Sequence, residues 1–368
     1  MREFAYLRPT DPAEAVALLA ASPGARYLAG GTNLVDLMKL GVERPRLLVD
    51  LGRLGLDGMA QTPEGGLRIG AGVRGTDLAA HPAVRAGYPA LCQALLSGAS
   101  GQLRNVATTG GNLLQRTRCL YFQDVTKPCN KRIPGSGCPA IEGVHRDLAV
   151  LGASEHCVAT HPSDLAVALS ALDASLELLG PDGPRALHVA DLYRLPGDRP
   201  DLEHRLLPGE LIAAVSLPPP APQSRSGYRK ARERASFAFA LASAAAVLTV
   251  RDGRVAGIAL ALGGLAPKPW RAWTAEELLL GGPAEEAAFR RALKAELAAA
   301  RPLRDNAYKV ALAENLAVRL LARLARLSGP SGSSGLPGPA HAELGPESGP
   351  DDDRPRPEHR DPAGDADG

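Results

Sequence analysis

Leu28-Ala29-Gly30-Gly31-Thr32-Asn33-Leu34 and Thr108-Thr109-Gly110-Gly111-Asn112-Leu113 share one pattern. In each, paired glycines stand beside threonine and asparagine. Glycine lets backbone N–H groups approach phosphate oxygens, threonine adds a hydroxyl donor, and the N-terminus of a following helix favours negative charge. Neither stretch matches the dinucleotide fingerprint G-x-G-x-x-G or the P-loop, and either one alone reads equally as a tight turn. Occurring together, they read as one diphosphate gripped from two sides.

Outward from the first stretch, Asp11-Pro12 can cap a helix at 13–21, and Arg26–Ala29 reads as a strand. A helix through Leu34, Leu37 and Met38 to Gly41 and the apolar Leu47-Leu48-Val49 complete a small α/β unit, residues 1–55. A second α+β unit spans 56–180: Leu67–Val73 alternates as a strand, 86–97 reads as a helix, and Asp164–Leu179 as a helix passing into a strand. It carries an irregular insert, 116–160, rich in Cys, Pro and Gly. In a third region, 185–327, Ala238–Val250 and Val255–Leu262 flank Asp252-Gly253 as a strand hairpin, although the alanine-rich start also suits a helix. Amphipathic helices follow at 284–300 and 305–327. The tail, 328–368, has no aromatic residue and nine acidic against three basic ones, so it is expected to be disordered.

At 368 residues the chain exceeds what one core usually serves, and a net charge of +2 gives no ground for nucleic acid or an anionic membrane as partner. No apolar run is long enough to span a bilayer. Met1-Arg2-Glu3-Phe4 does not open a signal peptide, so the expected location is the cytoplasm, or the periplasm if a signal-bearing partner carries the chain out.

Cys119, Cys129, Cys138 and Cys157 crowd the insert, while Cys92 falls on an apolar helix and reads as a buried hydrophobe. Four thiolates from one irregular segment suit a [4Fe–4S] cluster or a structural zinc. Tight C-x2–4-C pairs are absent, but spacing alone leaves cluster and zinc nearly even. His156 and His161 flank Cys157 and read as packing or capping residues rather than ligands. No hydrolytic triad, H-E-x-x-H zinc motif or paired-carboxylate pattern is present, so no catalytic residue is assigned.

The segments A-G-G-T-N-L (29–34) and T-T-G-G-N-L (108–113) resemble those of the FAD-binding subunits of the xanthine dehydrogenase and carbon monoxide dehydrogenase type, subunits of molybdenum hydroxylases. The resemblance covers about residues 1–325. It implies an α+β fold: a two-subdomain FAD-binding domain of the PCMH type, then a C-terminal α+β flavoprotein domain. It implies FAD contacts from Leu28, Ala29, Gly30, Gly31, Thr32, Asn33 and Leu34, and from Thr108, Thr109, Gly110, Gly111 and Asn112. Ser163-Asp164 matches a pair whose carboxylate holds ribityl or ribose hydroxyls, and Ile212 and Lys230 sit where flavin-ring contacts fall.

The cysteine insert resembles that of the FAD subunit of periplasmic aldehyde oxidoreductases, with a related insert in 4-hydroxybenzoyl-CoA reductase. This implies a [4Fe–4S] cluster on Cys119, Cys129, Cys138 and Cys157, with Arg118, Lys131 and Arg132 able to offset its negative charge. The implied function is electron transfer from a [2Fe–2S] small subunit to FAD and on to an acceptor. The third member of the implied heterotrimer is a molybdenum-cofactor large subunit that oxidises an aldehyde. The alternatives are the FAD subunit of an aromatic acyl-CoA reductase and a non-redox FAD- and zinc-binding assembly module.

Overall fold

A computed structural model describes residues 1–328; the tail expected to be disordered falls, from residue 329 on, outside the described residues. Strands β1 (Ala5–Leu7), β2 (Arg26–Leu28) and β3 (Leu47–Asp50) form a parallel sheet in the order β1-β3-β2. The helix Pro12–Ala21 joins β1 to β2. Asp11 caps it by accepting from Glu14 N at 2.9 Å, Pro12 sits where no N–H is needed, and the Glu14 carboxylate reaches back to Thr10 N. The glycine turn and the helix Leu34–Lys39 then join β2 to β3.

The second sheet is antiparallel, order β4-β5-β8-β6-β7, from β4 (Met59–Gln61), β5 (Leu67–Gly70), β6 (Ser175–Gly180), β7 (Gly183–His188) and β8 (Leu211–Leu217). Strand β8 lies between β5 and β6, pairing Ile69 with Val215 and Leu176 with Val215 on its two edges. The expected boundary at 180–185 is therefore corrected: the second subdomain runs on through Leu217, because its sheet is incomplete without β8. The helix expected at 86–97 is likewise two, Pro82–Gly87 and Pro89–Ser97, since Pro89 supplies no N–H to carry one ladder through Tyr88.

The third sheet, order β12-β11-β10-β9, contains β9 (Arg225–Ala231), β10 (Ala242–Arg251), β11 (Arg254–Gly263) and β12 (Trp270–Arg271). The alanine run is strand, not helix, and the burial pattern shows why. Ala242, Ala244, Ala246 and Leu248 face one core with the helices Glu286–Leu297 and Tyr308–Leu327, while Ala245 and Val247 face the core of the second subdomain. That period of two places small residues on both faces of a strand sandwiched between layers. Asp252 (φ 50°) and Gly253 (φ 72°) turn the hairpin with two left-handed residues, which matches the twist of the strands.

Candidate cofactor site

The first glycine turn leaves β2 at Leu28 and is laid directly against the chain that enters the second. A Cβ on Gly30 would lie 2.1 Å from the Val106 carbonyl oxygen, and Gly31 adopts φ +71°. Among the described residues, the backbone N–H groups of Gly30, Gly31, Thr32 and Asn33 have no protein acceptor. Ala29, Thr32 and Leu34 are half-buried around this row of free donors. Asn33 accepts from Arg116 N at 2.9 Å, and its Nδ2 is buried without a partner.

The second turn is built differently. Thr109 N and Gly110 N donate to Val73 and Ala71 carbonyls, both at 2.8 Å, and the Thr109 hydroxyl also bonds Val73. These two residues are buried and anchor the turn to the end of β5, so the expectation of two equivalent amide cradles is corrected. What the second turn offers is the exposed Gly111, the Thr108 hydroxyl 3.2 Å from Gly111 N, and the Asn112 side chain. Gly111 faces the first turn: its added Cβ would lie 3.9 Å from the Ala29 methyl.

Asn112 links the turn to the Ser163-Asp164 pair, because Ser163 Oγ donates to Asn112 Oδ1 at 2.6 Å while accepting from Ala166 N as the cap of the helix Asp164–Ala171. Asp164 is buried and doubly held, by Tyr228 Oη at 2.5 Å and Lys230 Nζ at 2.7 Å. Burial, and then the Asp164 charge, push the Tyr228 phenol well above its ordinary pKa, so it stays a donor. Lys230 thus meets the site through Asp164. Ile212 does not join this group; it packs in the core of the second subdomain, 3% exposed.

Beside Asp164 opens a cleft lined by Arg118, Cys119, His161, Ser163, Phe239 and Ser243 among others. Six buried side-chain polar atoms among the described residues lack a partner, and Arg118 Nε, His161 Nε2 and Ser243 Oγ all belong to this wall. With Asn33 Nδ2, four of the six lie at the glycine turns or the cleft. Buried polar groups are ordinarily satisfied, so this concentration marks a surface shaped for a polar ligand.

The four cysteines of the insert line a second, smaller cleft. All are free thiols, with Cys119 and Cys157 buried and Cys129 and Cys138 half-buried. Burial pushes Cys157 up to about 11, opposed by the Lys131 charge. Lys131 is itself held by Glu203 at 2.9 Å, and Glu203 by Arg116 Nε at 2.6 Å. Arg132 instead donates to the carbonyls of Phe122, Asp124 and Lys127, closing the loop between the first two cysteines. Cys119 lines both clefts. Cys92 lies apart, against the core of the second subdomain, with its thiol 3.4 Å from the Ala79 carbonyl.

Two family matches account for this geometry. Residues 2–220 match the FAD binding domain in molybdopterin dehydrogenase, and residues 226–324 the CO dehydrogenase flavoprotein C-terminal domain. The chain belongs to the FAD-binding subunits of the xanthine and carbon monoxide dehydrogenase family. This FAD subunit is 53% identical over 324 residues to the aldehyde oxidoreductase FAD-binding subunit PaoB of Escherichia coli K12, covering 88% of this chain and 98% of that one. It is 30% identical over 286 residues to the putative xanthine dehydrogenase FAD-binding subunit XdhB of the same organism, covering 77% and 82%. A solved carbon monoxide dehydrogenase from Hydrogenophaga pseudoflava superposes with a TM-score of 0.71 at 27% identity, covering 89% of this chain and 98% of that one. The domain junction between the two matches falls after β8, as the sheet requires.

Tyr228 and Glu203 of the FAD subunit went unmarked in the sequence. Tyr228 stood two residues from Lys230, the spacing that puts both on one face of a strand. Glu203 carried no local signal, since its partners Arg116 and Lys131 are far away in the chain. His161 offers a test of the cleft. Burial pushes it down to about 4, against an ordinary value near 6.5, so the unfolded chain takes up a proton that the folded one refuses. Stability should fall between pH 6.5 and 4, by about 3 kcal/mol in the limit. Urea midpoints should drop less over this range in His161→Asn than in the wild type; equal drops would count against a neutral buried imidazole.

Proposed function

We propose that the chain is the electron-transfer subunit of a molybdenum-dependent aldehyde oxidoreductase, holding FAD and a [4Fe–4S] cluster. The single observation that carries the cluster is the convergence of four free thiols from an irregular segment on one cleft, in a chain 53% identical to an aldehyde oxidoreductase FAD subunit. The donor set is all sulfur, as a thiolate-ligated cluster needs. A mononuclear zinc would need the thiols within one set of bonds of about 2.3 Å. The insert supplies its four thiols without the tight C-x2–4-C pairs usual for structural zinc.

For FAD, the free N–H groups of Gly30–Asn33 would take the diphosphate, with Gly111 and Thr108 closing the far side. Asp164, fixed by Lys230 and Tyr228, keeps lone pairs for ribityl or ribose hydroxyls, since an ionised carboxylate has about four acceptor sites. The ring would enter the cleft of Arg118, His161 and Ser243. Bound there, a flavin supplies the ability to accept electrons singly and release them in pairs, while the protein supplies position and electrostatics. The proposed partners are a [2Fe–2S] small subunit and a molybdenum-cofactor large subunit. This chain by itself oxidises no aldehyde, and its compartment follows that of the assembly.

Anaerobic purification with the two partner subunits should yield one FAD and about four iron and four sulfide per chain. Cys92→Ser should leave iron unchanged, while Cys157→Ser should lose it and lower stability, because metal binding is coupled to ordering the insert. Stoichiometric zinc without iron would reject the cluster.

A further inference from the structure

Arg118 stands apart from Lys131 and Arg132 of the same insert. Lys131 turns to the cysteine cleft and is neutralised by Glu203, and Arg132 is spent on backbone carbonyls. Arg118 turns to the other cleft, its guanidinium 5.0 Å from the centroid of Phe239 and its Nε buried without an acceptor. The one carboxylate near it, Asp36, lies 3.7 Å from Nη1 with half its side chain in solvent, a contact that contributes little. Of the two carboxylate residues that line the same cleft, Asp164 is already engaged by Lys230 and Tyr228, and Asp147 lies 3.3 Å from Arg146 with most of its side chain in solvent. A positive charge desolvated without a partner is costly, so the site is incomplete until an anion faces it.

We propose that Arg118 is the flavin-contacting residue that holds the negative charge of the reduced ring, an inference that rests on the FAD reading above. When a reduced iron–sulfur donor delivers two electrons and one proton is taken at N5, one negative charge remains, spread over N1 and the C2 oxygen. The free Nε–H and a neighbouring Nη–H, along one edge of the planar guanidinium, can hydrogen-bond that edge of the ring, stabilising the reduced form over the oxidised one. Lysine keeps the charge but loses the planar fork.

Sulfite tests this without any electron donor. Its sulfur lone pair bonds to N5 of the oxidised ring, and the displaced pair comes to rest on the same N1–C2 oxygen edge. The assembled complex is titrated with sulfite while the flavin band bleaches, in wild type, Arg118→Gln and Arg118→Lys. Arg118→Gln should bind sulfite about tenfold more weakly or worse, with Arg118→Lys recovering most of the loss. Equal affinities in wild type and Arg118→Gln at equal FAD content overturn the proposal. If Arg118→Gln holds no FAD, Arg118→Lys decides: loaded and close to wild type supports the charge, while empty or unable to take sulfite overturns it. A wild-type complex without FAD overturns the parent reading, and this proposal with it.

Discussion

Replacing Gly30 with alanine should strip the flavin from the chain and lower its melting temperature by several degrees. The added methyl would sit 2.1 Å from the Val106 carbonyl oxygen and 2.8 Å from its carbon, with Ala107 Cα at 3.2 Å. All three atoms are backbone, and they belong to the segment that enters the second glycine turn, so no side chain can rotate away. The two turns must move apart, at a cost of about 3 kcal/mol or more for overpacking against a fixed wall. The same movement opens the gap that the diphosphate would bridge. Gly111→Val makes the contrast: its Cβ would meet the Thr108 hydroxyl at 2.9 Å and, in ordinary contact, the Ala29 methyl at 3.9 Å, from an exposed position. That variant should keep its melting temperature and lose flavin by crowding the ligand alone. Flavin absorbance per chain after gel filtration, with thermal unfolding of the same samples, separates the two outcomes. Full flavin and an unchanged melting temperature in Gly30→Ala would show that the turns do not need their close approach.

Much of this was legible in the sequence because it rests on local chemistry. The paired glycines, the Asp11-Pro12 cap and the Asp252-Gly253 turn each declare a backbone geometry within a few residues. The four insert cysteines were conspicuous for a similar reason: an irregular segment needs something to hold it. What sequence could not supply was the division of labour between like residues. The two glycine turns look alike in composition, yet the amides of Thr109 and Gly110 are consumed by Val73 and Ala71 while those of Gly30–Asn33 stay free. Arg118, Lys131 and Arg132 look alike as a basic cluster, yet they face the cleft beside Asp164, the thiol cleft and a loop. The boundary before β8 was misplaced because strand pairing over a long separation leaves no local mark. Ile212 lies in the core of the second subdomain, so its side chain stands apart from the Asp164 group.

Lys309→Met should be the most destabilising single change in the C-terminal region, and should release flavin and iron together. Lys309 is fully buried in the first turn of the helix Tyr308–Leu327, on the stripe continued by Ala313, Ala317, Leu320 and Leu324. A lysine on that stripe is the sequence signal for it, since such a residue needs acceptors as well as space. It finds three: the carbonyls of Asp147 and Leu148 at 2.8 Å and of Gly264 at 2.6 Å. Asn306 adds support, its Nδ2 lying 3.2 Å from the Ala149 carbonyl. Together they fasten the end of the insert to the end of β11, and Asp147, Leu148 and Gly264 all line the cleft beside Asp164. Methionine fills nearly the same volume but leaves these carbonyls without their donor, at a cost of about 3–5 kcal/mol. That corresponds to a fall in melting temperature of about 10 °C. Ala149 N bonds the Val158 carbonyl beside Cys157, so a loosened 147–149 segment slackens the thiol cleft and the flavin cleft at once. Metal analysis, flavin absorbance and thermal unfolding of one preparation test this. A variant that loses neither cofactor and melts like the wild type would show that the insert does not depend on this lysine.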